Sequence, residues 1–218
     1  MLIGYVLVMP NLAETILSLD HCLVLVRHGQ TQWNVEDRLT TFSDIDLTDL
    51  GTTQPLALAR SLAPVNFDSI SSSPRVRAHK TAKLACSQMS NAPEISVDDR
   101  LVEPHAGIFE GLTFTELGNG HHRLAFSAYQ SEVDPVFPEG TETLEQSVAK
   151  AESLLSQVQE NPGRQLMFSH GAFIRILAQV AIGGNPSCYR RLKLNNCHAA
   201  IFRFYPDPPH QMVAWNVT

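Results

Sequence analysis

The sequence predicts an α/β fold, a three-layer α/β/α sandwich built on a mostly parallel central sheet. Apolar runs of strand length recur at 22–26, 67–71, 166–169, 199–204 and 212–215. Their near-continuous hydrophobicity suits strands covered on both faces, and segments of helical period lie between them. Two runs also end in a histidine followed by glycine, His28-Gly29 and His170-Gly171. The loops beyond the carboxyl ends of parallel strands are where ligands bind in such sheets.

Taken in order, the elements have local causes. Residues 1–20 begin with an apolar run but carry Pro10, Glu14 and Asp20 and no basic flank. That argues against a signal peptide or a membrane span and for an N-terminal extension packed beside the domain as a strand or helix. A helix is expected from Thr48, but Pro55 interrupts it; an interior proline costs about 3 kcal/mol, so this helix should start late or kink. The next helix should run from about Pro74 to Met89, with proline in its first turn and Ala78, Ala82, Ala85 and Met89 on one face. Residues 113–140 are the least regular and read as a loop-and-helix excursion. After Thr143, the pair Thr143/Gln146 resembles a capping box, and Leu144, Val148, Ala151, Leu155 and Val158 form one apolar stripe until Asn161-Pro162-Gly163 stops it. A further helix begins near Gly171, and Asn195-Asn196 marks a turn before the last strands.

Composition removes several function classes. With 218 residues and no repeats or linkers, the chain suits a single domain over residues 1–218. Sixteen basic against 22 acidic residues leave a net charge of −6, so there is no global field to hold nucleic acid or an anionic membrane, and any anion site must be local. Cysteines 22, 86, 188 and 197 show no metal-binding spacing and no secreted disulfide pattern. They read as reduced thiols of a cytoplasmic protein without a zinc site.

The stretch 23–34, LVLVRHGQTQWN, ends a buried strand in Arg27-His28-Gly29. Alone, this could be a surface Arg and His beside a turn. The stretch 166–177, LMFSHGAFIRIL, repeats the design and opens a helix whose first-turn amides favour anions. A third stretch, 71–82, SSSPRVRAHKTA, brings Arg75 and Arg77. Two histidines and two arginines converging on one point would form a dianion pocket, because guanidinium pairs bidentately with phosphate oxygens.

In this order, and together with RLVEPHAGIFEGLTFTEL at 100–117, these stretches resemble the histidine phosphatase superfamily, whose fold is phosphoglycerate mutase-like. The resemblance spans about Leu23 to Phe204. It implies that His28 is the nucleophile, phosphorylated on a ring nitrogen. Arg27, Arg77 and His170 would hold the phosphoryl oxygens, with Asn34 and Gly171 also at the phosphate. Glu103 would be the proton donor, since the family places its acid at the start of that stretch; Glu110 is its rival. Arg75 falls where the family varies. Residues 113–140 would be the cap over the site.

The chemistry is coherent without a cofactor or metal. Neutral His28 attacks phosphorus while the cations hold the charge that spreads over the oxygens. A dianion bound nearby disfavours a second negative charge, so substrate itself favours a protonated Glu103, which then protonates the leaving oxygen. Asn34 could equally cap local backbone, and His105, His121 and His122 could line the entrance or lie on the surface. Thr41-Phe42 stands where relatives often have Gly-Trp. The expected function is a metal-independent phosphomonoesterase acting on a small phosphorylated substrate. The alternatives are a cofactor-dependent phosphoglycerate mutase, disfavoured by the short interval from Glu103 to His170, and a phosphate-binding module without turnover.

Overall fold

The computed structural model describes residues 11–218. A six-residue helix, α1 (Leu12–Leu17), opens it, capped by Asn11 and Glu14 and burying Leu12, Ala13 and Ile16. Within the expected extension, the helix alternative holds for Leu12–Leu17; residues 1–10 lie outside the described residues.

The strands are β1 (Cys22–Arg27), β2 (Ser69–Ser72), β3 (Ile95–Val97), β4 (Arg164–Ser169), β5 (Ala199–Arg203) and β6 (Gln211–Val217). They form one sheet in the order β3-β2-β4-β1-β5-β6. β3, β2, β4 and β1 run parallel, and β5 is antiparallel to both β1 and β6. Five of the six strands match apolar runs in the sequence. β3 does not, because three residues at a sheet edge, two of them exposed, show no apolar run.

Alternation along the central strands divides the core. Val24, Val26, Ile70, Leu166 and Phe168 face one side, where α1, α3 (Asp49–Leu62) and α4 (Val76–Cys86) cover them. Leu23, Leu25, Met167, Ala200 and Phe202 face the other, under α7 (Leu144–Glu160) and α8 (Gly171–Ala181). Each fully buried Leu or Phe contributes about 1.5–3 kcal/mol, and these two layers hold the central strands in register. Helices on both faces of the sheet make the three-layer α/β/α sandwich that the sequence predicts. Between the layers' elements lie the short α2 (Gln32–Val35), and α5 (Phe114–Asn119) with α6 (Arg123–Tyr129), which cover a small separate core of Ala106, Phe109, Leu117 and Phe126.

Three local expectations change. The helix after Thr48 neither starts late nor stops at Pro55: Thr48 caps it and Pro55 lies inside it. Proline has no N–H for the carbonyl of Gly51, one turn back, and the loop of Gly29 and Gln30 lies against that same turn. A Cβ at position 29 would collide with the Gly51 carbonyl, and one at position 51 with the Gln30 carbonyl. The next helix is shorter than 74–89. Arg75 is its extended N-cap, and the Asp44 side chain accepts from the Val76 amide at 2.7 Å, so Pro74 stays outside. In α7, Leu154 and Ser147 are buried, while Leu144 and Val148 are only half-buried.

Candidate active site

Strand register creates the site. β1 and β4 pair in parallel with Arg27 opposite Ser169, so the next residue of each strand, His28 and His170, emerges at one level. Their ring centroids are 5.2 Å apart at 60°. β2 lies on the other side of β4, with Ser72 opposite Phe168. Ser73 thereby reaches His170, with its Oγ 2.8 Å from Nε2.

His28 is 4% exposed and its Nδ1 lies 2.7 Å from the Gly29 carbonyl. A carbonyl only accepts, so the hydrogen is on Nδ1 and the lone pair is on Nε2. Burial, then the charges of Arg77 and Arg27, hold His28 well below the usual histidine range despite the Gly29 hydrogen bond. His170, fully buried, is held down by burial and then by Arg77, His28, Arg27 and Arg75. Both rings are therefore neutral at pH 7. Nε2 of His170 faces the Ser73 hydroxyl, whose Oγ also accepts from the Arg75 amide at 3.3 Å, while Nδ1 has no partner among the described residues. In the tautomer that takes the Ser73 hydrogen on Nε2, Nδ1–H is a free donor.

Arg77 is fully buried, its Nη1 donating to Ser43 O at 2.9 Å and its Nη2 to Thr41 O at 3.0 Å. Arg27 donates from Nη1 to Leu194 O at 2.6 Å. Burial pulls Arg27 down to about 10, Glu103 offsetting part of this, and it also lowers Arg77. Arg27 Nε, Arg77 Nε and His170 Nδ1 are buried without a hydrogen-bond partner among the described residues. Leaving such groups unsatisfied costs about 1–3 kcal/mol each, and each is a polar atom with no partner beside the cavity.

Arg27, His28, Asn34, Glu103 and Gly171 line one cavity of about 400 Å³. Arg77 and His170 join the cluster by charge and ring contact but, being fully buried, do not line that cavity. Asn34 Oδ1 accepts from the Thr31 amide at 3.0 Å and from Asn196 Nδ2 at 3.1 Å. It caps backbone and lines the cavity at once, and its own Nδ2 hydrogens are the donors it can offer there. Gly171 leaves room for Arg27, whose Nε would lie 3.2 Å from a Cβ at position 171.

The first-turn amides of α8 do not await a ligand anion. Glu103 accepts from the Ala172 amide at 3.0 Å and the Phe173 amide at 3.0 Å, because a helix N-terminus attracts the nearest carboxylate. The rival, Glu110, is committed elsewhere: it accepts from Thr41 N at 2.9 Å, Thr41 Oγ1 at 2.6 Å and Ser43 N at 3.0 Å. It thus braces the loop whose carbonyls hold Arg77. His105 stacks on Phe42 with centroids 5.1 Å apart, His122 packs edge-on against Phe109, and His121 is exposed. None of the three lines this cavity.

Several site residues escape sequence reasoning. Ser73, through His170, and Thr81, which accepts from Gly29 N at 2.9 Å, act through contacts with residues distant in the sequence. Arg175 and Arg190 carry no motif, yet both line the cavity. Among the described residues, no group of three or more His, Cys, Asp or Glu side chains is placed to hold a metal ion, and no helix is long and apolar enough to cross a membrane.

Residues 23–218 match the family model of the histidine phosphatase superfamily, branch 1, and the chain belongs to that superfamily of enzymes. Among its relatives is a 2,3-bisphosphoglycerate-dependent phosphoglycerate mutase of Methylocella silvestris, 31% identical over 87% of this chain and 95% of that one. A phosphoserine phosphatase of Entamoeba histolytica, solved with 3-phosphoglyceric acid, has a TM-score of 0.77 at 27% identity, covering 91% of this chain and 98% of that one. A mycobacterial glucosyl-3-phosphoglycerate phosphatase shares the fold, with a TM-score of 0.77 at 24% identity over 91% and 100% of the two chains.

Proposed function

We propose that the chain is a phosphomonoesterase that hydrolyses small phosphate monoesters through a phosphohistidine on His28. The observation that carries this reading is the pairing of His28 with its Nε2 lone pair free, against a second neutral imidazole and two buried guanidinium groups. Nε2 attacks phosphorus and the ester P–O bond breaks. The α8 amides favour the Glu103 carboxylate, and the bound phosphate dianion shifts it to the acid by disfavouring a second negative charge beside it, the proton coming from solvent as substrate binds. Glu103 then gives that proton to the leaving oxygen, while Arg27, Arg77, the Nδ1–H of His170 and Asn34 hold the three remaining oxygens. Water then attacks the phosphohistidine as Glu103 takes one of its protons, the P–N bond breaks, and inorganic phosphate leaves with His28 neutral again. Every atom moved in both steps comes from protein, ester or water.

Residues 113–140 serve as the cap of a single domain, a role supported by Phe114, Phe126 and Tyr129, which line a second lobe beside the cavity. The partner is a small phosphorylated molecule; nucleic acid and anionic membranes are disfavoured by the net charge of −6. A reducing, cytoplasmic setting fits the four unpaired cysteines.

His28→Ala should abolish hydrolysis of para-nitrophenyl phosphate in a protein that remains folded by circular dichroism; near-native turnover would overturn the nucleophile assignment. The second reading, phosphoglycerate mutase, is favoured by the 31% identity to the Methylocella enzyme. Incubation with 3-phosphoglycerate, with and without 2,3-bisphosphoglycerate, separates the two. Phosphate release is the expected result, and fast isomer exchange with little release would establish the mutase.

A further inference from the structure

We propose, resting on the phosphomonoesterase reading, that the substrate carries a second anionic group besides its phosphoryl group, held by Arg175 and Arg190. These two guanidinium groups lie where the catalytic cavity of about 400 Å³ opens into a second lobe of about 260 Å³, and both line both spaces. Glu103 stands at the same junction. A leaving group whose ester oxygen faces Glu103 therefore extends past the two arginines.

Both cations are anchored on one aromatic ring. Arg190 lies 4.5 Å and Arg175 5.5 Å from the centroid of Tyr189, and Arg190 is also 4.9 Å from that of Tyr129. A guanidinium stacked on an aromatic face keeps its in-plane N–H edge for a planar anion. Few of those hydrogens are committed within the protein. Arg190 Nη2 makes one long bond to Tyr129 O at 3.4 Å, and Arg175 donates from Nε to Gly171 O at 2.8 Å and from Nη1 to Leu192 O at 3.4 Å.

Neither arginine is in an ion pair among the described residues, whereas Arg38 at the rim of the same cavity is paired with Glu36. Glu103, the one carboxylate among the described residues that line either lobe, accepts from the amides of α8. The phosphoryl group is provided for by Arg27 and Arg77. Two further cations, close together and in no ion pair among the described residues, are a local surplus in a protein of net charge −6 that a second anion relieves.

The test compares kcat/KM for 3-phosphoglycerate and glycerol 3-phosphate. Both are esters of a primary hydroxyl on three carbons, and they differ in a carboxylate against a hydroxymethyl group. The wild-type protein should prefer the acid at least tenfold, mainly through KM. Arg175→Gln and Arg190→Gln should each bring that ratio toward one, and Arg190→Lys should restore part of it. A wild-type ratio within twofold, or a ratio unchanged in both glutamine variants, overturns the subsite. If para-nitrophenyl phosphate is hydrolysed while the ratio is near one, the subsite fails and the phosphatase reading stands. If no phosphate is released from any ester, that reading fails, and the ratio of calorimetric Kd values for the same two esters decides the subsite by the same thresholds.

Discussion

At His28, one hydrogen bond to the next residue's carbonyl does what a partner side chain does in other nucleophilic sites: it places the proton on Nδ1 and the lone pair on Nε2. His170 takes the same tautomer when the Ser73 hydroxyl donates to its Nε2. Ser73→Ala should release that tautomer and lower kcat about tenfold, the equivalent of one hydrogen bond of about 1.4 kcal/mol, with thermal stability little changed; unaltered kcat would mean that His170 needs no such partner. Glu103→Gln should cost far more rate on alkyl phosphates than on para-nitrophenyl phosphate, whose leaving group needs little proton assistance. Equal losses on both esters would remove Glu103 from the acid role. Both histidines are held neutral by burial and by arginines. Between pH 6.5 and their lowered folded values, the unfolded chain binds more protons than the folded one. Stability therefore rises with pH through that window and is lost as pH falls below about 6.5. The melting temperature should drop between pH 6.5 and 5, and drop less in His28→Gln; parallel slopes for the two proteins would contradict this.

Among the elements, the contact of α3 with the loop after β1 governs where His28 stands. Gly29 and Gly51 let two stretches of backbone meet where any Cβ would collide, and Pro55 leaves the Gly51 carbonyl without its helical donor. Gly51→Ala should destabilise the fold by at least 1 kcal/mol, in the range of overpacked sites, and lower kcat by shifting Gly29. A variant with wild-type melting temperature and rate would show that the contact does not position His28. This contact marks a limit of sequence reading. Strand ends such as Arg27-His28-Gly29 and Ser169-His170-Gly171 are legible because a buried run stops at chemistry. The proline of α3 is not, since an interior proline reads as a break or kink while the helix runs through it from Asp49 to Leu62. β3 is too short and exposed to show a period. Ser73 and the Tyr189 anchor of Arg175 and Arg190 act across distances that only strand register and packing bring together. Glu103 and Glu110 shared one stretch of sequence; their hydrogen bonds separate them, one to the amides of α8 and the other to the loop that holds Arg77.

At the scale of the molecule, the sheet order explains why so few residues suffice. Placing β4 between β2 and β1 aligns three loop starts, those of Ser73, His170 and His28, along one edge. The two-layered core lies underneath that alignment, and Arg27, Arg175 and Arg190, none of them in an ion pair among the described residues, line the cavity beside it. The most direct measurement is to trap the intermediate: react the protein with labelled phosphate ester, quench in alkali, and map the label by peptide mass spectrometry. A base-stable, acid-labile phosphoryl group on the peptide that contains His28, absent from His28→Ala, is the predicted result. Label on any other residue, or turnover of para-nitrophenyl phosphate by His28→Ala at the wild-type rate, would contradict it.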